Sequence, residues 1–313
     1  MADYGRPVRF GYFLIPEADP SRPLRLAAAA EELGLDYIGV QDHPYQSRFH
    51  DTWTLLTAVA MRTSRISVFP DVTSLPLRPP AVLAKAAASL DVLSGGRVEL
   101  GLGAGAFWDA IAAMGGPRRT GGESVLALEE AIQVIRLMWS GERSVRFDGR
   151  FYQLAGVHPG PQPAHYIGIW LGVGRPRALA LTGRLADGWV PPALGYTQPG
   201  DLVSMNARID EAAHAAGRDP ATIQRIYNVP GTITDGQPGG LLHGSVNHWS
   251  ESLAALTLEY GMDTYVLAHR MDRYEPARGD DAESQLRGFA LEVVPRTREL
   301  IDQARGTSVA RRT

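Results

Sequence analysis

His43 follows Asp42 directly in the run Val40-Gln41-Asp42-His43, which pairs the one side chain that titrates unperturbed near neutral pH with a carboxylate able to orient it. Such a pair can give or take a proton. The competing reading is a loop histidine that only packs or caps. A second run, Leu171-Gly172-Val173-Gly174-Arg175-Pro176-Arg177, sets two arginines at the start of a helical stretch, where backbone N–H groups and the helix dipole favour an anion such as a phosphate. Glycine and proline also serve plain turns there. A third run, Gly101-Leu102-Gly103-Ala104-Gly105, lacks the third glycine and the downstream acidic residue of a dinucleotide fingerprint. Its glycines instead let a flat ring, or simply a neighbouring backbone, approach closely.

Several chemistries are excluded or disfavoured. The 313 residues contain no cysteine, so there is no disulfide, thiolate metal site or thiol nucleophile, and redox chemistry requires a bound cofactor. His50, His158, His165, His214, His243, His248 and His269 show no metal-ligand spacing, and no metal is expected. A formal net charge of −3 offers no footprint for nucleic acid, and Arg311-Arg312 is a trivial basic tail. No run reaches the roughly 18 apolar residues of a membrane span, and Met1 to Arg6 shows no leader, so a cytoplasmic protein is expected. Lys85 is not at a strand end, which disfavours Schiff-base aldolase chemistry.

The elements that must position these residues alternate. Short apolar runs at 9–14, 37–40, 66–69, 98–103, 167–173, 188–190, 225–234 and 264–268 read as strands. Each is followed by a helix-periodic stretch: 24–33, 52–62, 80–93, 123–139, 175–185, 205–216, 249–260 and 286–304. Crossover helices permit parallel pairing, and eight units fit a closed (β/α)8 barrel, with an open doubly wound sheet as the alternative. The whole chain, 1–313, reads as one barrel domain. Asp148-Gly149, flanked by apolar strands, reads as a tight hairpin inserted at about 140–165 after the fourth unit, and 235–247 as a mobile loop. A barrel carries its chemistry at the C-terminal strand ends, which selects Gln41, Asp42, His43, then Pro70, Asp71, Val72, Thr73, then Gly103, Ala104, Gly105, Phe107, and then Gly172, Val173, Gly174, Arg175.

Three longer runs carry a resemblance over nearly the whole chain. They are Leu33-Gly34-Leu35-Asp36-Tyr37-Ile38-Gly39-Val40-Gln41-Asp42-His43, then Pro80-Ala81-Val82-Leu83-Ala84-Lys85 leading to Leu90-Asp91-Val92-Leu93-Ser94-Gly95-Gly96-Arg97-Val98-Glu99-Leu100-Gly101-Leu102-Gly103, and Gly183-Arg184-Leu185-Ala186-Asp187-Gly188-Trp189. Together they resemble the bacterial luciferase-like superfamily of flavin- and F420-dependent oxidoreductases. The resemblance implies a barrel, usually a homodimer, holding F420 or FMN at the C-terminal strand ends.

In the deazaflavin branch it implies that Asp42 and His43 flank the ring, with His43 near the reacting carbon. Pro70, Asp71 and Val72 would form a bulge that often contains a non-prolyl cis peptide. Gly103, Ala104 and Gly105 would contact the cofactor, and Gly172, Val173, Gly174, Arg175 and Pro176 would receive its phosphate and ribityl chain. Phe13, Ser47, Phe107, Trp108 and Trp189 are candidates for the substrate pocket. Ala106 stands where the family's sugar-phosphate dehydrogenases carry an acidic proton donor, and Ser47 near a missing tryptophan, which disfavours sugar-phosphate oxidation. Asp109 and His43 are the available substitutes.

The first expectation is an F420-dependent hydride-transfer oxidoreductase acting on a small organic substrate. The alternatives are an FMN-dependent monooxygenase supplied by a flavin reductase and a non-catalytic flavin-binding barrel.

Overall fold

A computed structural model describes residues 3–19, 21–192, 197–269 and 281–310, so Arg311 and Arg312 lie outside the described residues. The first half of the chain runs β1 (Arg9–Leu14), α1 (Ser21–Glu32), β2 (Tyr37–Val40), α2 (Thr52–Arg62), β3 (Ser67–Pro70), β4 (Thr73–Ser74), α3 (Pro80–Ser94), β5 (Leu100–Gly103), α4 (Trp108–Ala113) and α5 (Gly121–Met138). It continues through β6 (Val145–Asp148), β7 (Gln153–Val157), β8 (Ile169–Gly172), α6 (Pro176–Leu185), β9 (Gly188–Val190) and α7 (Pro199–Ala215). The last elements are β10 (Gln224–Ile233), β11 (His243–Gly244), α8 (Val246–Leu258), β12 (Thr264–His269), α9 (Asp281–Gly288) and α10 (Val294–Ala310).

The sheet decides between barrel and open fold. Parallel pairing runs β3-β2-β1-β12-β10-β9-β8-β5-β4. β3 and β4 are two halves of one strand, interrupted by the cis peptide between Asp71 and Val72. A parallel bridge from Val68 to Val98, with Val68 N–H donating to the Arg97 carbonyl (2.8 Å) and Glu99 N–H to that of Val68 (3.0 Å), closes the ring. The barrel therefore has eight staves, as the alternation of short apolar runs and helical stretches requires.

Because side chains alternate along a strand, the staves feed two cores. Phe13, Phe69, Trp170, Val190, Ile226 and Val266 face into the barrel. Their neighbours Val68, Leu171, Trp189, Tyr227 and Leu267 pack outward under the helices.

The hairpin differs from its expected form. Asp148 pairs with Gln153 and Phe147 with Leu154, so the turn spans 149–152 rather than Asp148-Gly149 alone. The Glu130 carboxylate on α5 accepts from the N–H groups of Arg150 (2.9 Å), Phe151 (2.8 Å) and Tyr152 (3.1 Å), which holds the longer turn open. The 235–247 stretch, expected as a loop, contains β11, which pairs with Thr232 and Ile233. The last helical stretch divides at a π turn, Phe289–Val293, just ahead of Pro295, whose ring nitrogen has no hydrogen to give the preceding turn.

Candidate active site

Aromatic rings plug one end of the barrel. Trp170 meets Phe69 edge-on (centroids 4.9 Å, 65°) and Tyr37 likewise (5.4 Å, 84°). At the opposite end, beyond the C-terminal ends of β2, β4, β5 and β8, lies a cavity of about 790 Å³.

Its floor is shaped by the β3–β4 break. A Cβ on Gly172 would lie 2.5 Å from Val72 Cγ2 and one on Gly103 2.9 Å, so both glycines exist to let the Val72 side chain lie across β5 and β8. Gly105 has φ +98°, a left-handed conformation, and a Cβ there would meet Pro76 at 2.7 Å.

His43 and Asp42 leave β2 together but differ in surroundings. Asp42 Oδ2 accepts from Ser74 N–H (2.9 Å) and Arg78 Nε (2.9 Å), and Oδ1 accepts from Arg78 Nη2 (2.8 Å). Its side chain is wholly buried, so this bidentate pair commits the carboxylate to holding β4 and Arg78. Asp42 is thus a positioning group rather than a proton carrier. The amide nitrogen of Gln41 lies 3.1 Å from His43 Nδ1. In this orientation of the Gln41 amide Nδ1 accepts, and the proton of the neutral ring is then carried by Nε2. Burial holds the His43 pKa below the ordinary imidazole value, against the opposing pull of Asp42, so the ring is neutral at pH 7.

The far end of the cavity carries two arginines at a helix start. Arg175 caps α6 in extended geometry without a side-chain cap bond, Pro176 opens the helix, and Arg177 follows. Gly121 and Gly122 open α5 after a capping box in which Thr120 and Glu123 satisfy each other's backbone N–H. A Cβ on Gly122 would lie 3.5 Å from Arg177 Nη1, so the two helix starts abut.

Of the residues selected from sequence, Asp42, His43, Val72, Thr73, Gly103, Ala104, Gly105, Phe107, Trp108, Gly172, Val173, Gly174, Arg175, Pro176 and Arg177 line this cavity. The others do not. Pro70 is covered on β3, and Ser47 is exposed on the loop after His43. Phe13 packs inside the barrel among Phe69 and Val266. Trp189, wholly buried, points outward, and its Nε1 donates to the Val173 carbonyl (2.8 Å). Asp71 sits inside the barrel beneath the bulge, where burial, partly offset by Asn228, pushes its carboxyl up to about 7.

Asp109 is solvent-facing and ion-paired with Arg118, which removes it as a substitute for the acid missing at Ala106. Arg78 and the α5 start were not singled out from sequence. The side chain of His269 lies outside the described residues.

Polar atoms at this end are left open. Thr73 Oγ1 and Ser74 Oγ, both on the cavity wall, and Gln41 Oε1, Asp71 Oδ2 and Asn228 Oδ1 near it are buried without a hydrogen-bond partner among the described residues. Buried hydroxyls normally have partners, so a polar ligand fits this wall.

Comparison with known proteins agrees with the geometry. A family model described as "Luciferase-like monooxygenase" matches residues 8–237. The F420-dependent glucose-6-phosphate dehydrogenase of Amycolatopsis mediterranei (strain U-32) is 34% identical over 190 residues, 58% of this chain and 57% of that protein. The F420-dependent hydroxymycolic acid dehydrogenase of Mycobacterium tuberculosis (strain ATCC 25618 / H37Rv) is 35% identical over 218 residues, 67% of this chain and 58% of that protein. The chain thus spans under two thirds of the length of these relatives. The solved structure of an F420-dependent secondary alcohol dehydrogenase with an F420-acetone adduct superposes with a TM-score of 0.81 over 93% of this chain and 99% of that one, at 18% identity. That likeness establishes the shared fold.

Proposed function

The chain belongs to the family of luciferase-like monooxygenases, and on that premise we propose that it is an oxidoreductase using coenzyme F420 to exchange hydride with a small organic substrate. The observation that carries this is one cavity with an anion-holding end at Arg175 and Arg177, a neutral His43 at the other, and Val72 laid on two glycines between them. The F420-dependent relatives support the cofactor assignment.

When bound, the deazaflavin supplies hydride transfer at a ring carbon. Arg175, Arg177 and the starts of α5 and α6 would hold its phosphate. Thr73 and Ser74 would give their open hydroxyls to its polar groups, with Val72, Gly103, Ala104 and Gly105 beneath. His43 donates from Nε2 to the reacting oxygen of the substrate and polarises it, as a neutral imidazole can. Asp42, clamped by Arg78, keeps the chain after β2 in place so that this nitrogen is aimed. Among the described residues no helix is long and apolar enough to cross a membrane. The same reading makes the chain 1–313 one barrel domain of a cytoplasmic homodimer, with no nucleic-acid or membrane partner and no metal.

FMN with oxygen, fed by a reductase, is the second reading, favoured by the family's monooxygenase description. Calorimetric titration of the cofactor-free protein with F420 and with FMN at matched salt separates the two. Tighter F420 binding is expected; tighter FMN binding would move the assignment to monooxygenation, and binding of neither would sink both.

A further inference from the structure

The two ends of the cavity differ in charge. Its charged lining residues, among those described, are Asp42, Arg175 and Arg177. Arg175 and Arg177 stand at the α6 start, and Asp42 is neutralised by Arg78. The His43 end offers no free counter-charge.

Its wall is made of rings. His43 stacks on Tyr45 (5.3 Å, 22°), and Phe107 stands edge-on to His43 (5.3 Å, 75°) and tilted to Tyr45 (5.8 Å, 57°). Phe107 is 49% exposed at the cavity mouth, an uncommon position for a phenyl ring, and Trp108 lines the wall beside it. Ala106 contributes no polar group, and the Asp109 carboxylate faces solvent on Arg118. A phosphate or carboxylate drawn into this end would lose water without gaining a cation. An uncharged flat body would instead cover ring faces now exposed to water, and the electrostatics of aromatic rings favour edge-to-face and offset contacts with it.

We propose that the substrate is an uncharged molecule whose reacting carbonyl or hydroxyl carbon is attached to a flat apolar body held against Tyr45, Phe107 and Trp108, and that the site rejects sugar phosphates. This rests on the reading of the cavity as the reaction site. The test is calorimetric titration with acetophenone and with glucose 6-phosphate, in the absence and presence of saturating F420.

Acetophenone is expected to bind at least tenfold more tightly than glucose 6-phosphate. Phe107→Ala should weaken acetophenone about tenfold and Phe107→Leu less, with melting temperature and F420 affinity unchanged. Equal or tighter binding of glucose 6-phosphate, or acetophenone affinity unaltered in Phe107→Ala, would overturn the proposal. Selective acetophenone binding in a protein that binds no F420 would support the aromatic subsite and overturn the cofactor reading instead.

Discussion

The two ends of the barrel treat their polar groups in opposite ways. At the N-terminal end, Asp91 is fully buried and accepts from the N–H groups of Val98 (3.2 Å), Ala164 (2.8 Å) and His165 (3.1 Å). Arg97 donates to the carbonyls of Ala60, Thr63, Ile66 and Ser94, tying the α2 and α3 ends to the sheet. Glu99, then Asp91, pull the His165 imidazole up to about 9 and keep it charged. At the C-terminal end, Gln41, Asp71, Thr73, Ser74 and Asn228 keep buried oxygens open. The closed end also leaves His165 Nδ1 and Arg6 Nε without a hydrogen bond, but each sits in an ion pair, with Asp91 (2.8 Å) and Asp263 (3.1 Å), whereas the open oxygens of the other end have no hydrogen-bond partner among the described residues and suit a polar ligand.

The largest effect that would sharpen this contrast comes from Arg97→Ala. Several carbonyls would lose a charged donor at once, and a loss of about 4 kcal/mol in unfolding free energy is expected by denaturant titration. Cofactor affinity per folded molecule should stay the same. A selective loss of affinity would break the separation of roles.

At the other end, His43→Ala should lower kcat about 100-fold with the melting temperature unchanged. Turnover unaffected by the substitution would make His43 a packing residue. Since burial lowers the His43 pKa, wild-type kcat/KM should be flat from pH 7 to 8 and change only below the ordinary imidazole range.

Asp71→Asn probes the open groups through linkage. The folded carboxyl titrates at about 7 and the unfolded one near 3.8, so between these values the folded state binds more protons than the unfolded. This group therefore costs stability progressively as pH rises from 4 to 7, and fully above 7. The variant should match wild type near pH 4 and exceed it by about 4 kcal/mol at pH 8. Parallel stability curves for the two proteins would contradict the burial argument.

The same contrast explains what the sequence discloses. The run from Leu90 to Gly103 that carries much of the family resemblance helps hold the closed end, and part of that work is local: Asp91 accepts from Val98 N–H and Arg97 Nε donates to the Ser94 carbonyl within the run, whereas Glu99 reaches across to Gly168 N–H. The eight strand–helix alternations are legible because periodicity is local. The clamp on Asp42 is not, because Arg78 reaches it only after β2, β4 and the following turn assemble. Thr120-Gly121-Gly122-Glu123 does signal a helix start, but that this start abuts α6 is a tertiary fact. Trp189 faces away from the expected substrate pocket because of strand parity: it is in register with outward-facing Leu171, one step out of phase with the barrel interior.

The proposed function places the cofactor's phosphate at the α6 end of the open cavity, beside Arg175 and Arg177. The most direct measurement is the F420 dissociation constant of wild type and of an Arg175→Ala, Arg177→Ala double variant at low and at high salt. The expected result is about tenfold weaker binding in the variant at low salt, with the gap narrowing as salt rises. Equal affinities at low salt would contradict the account and place the anion elsewhere.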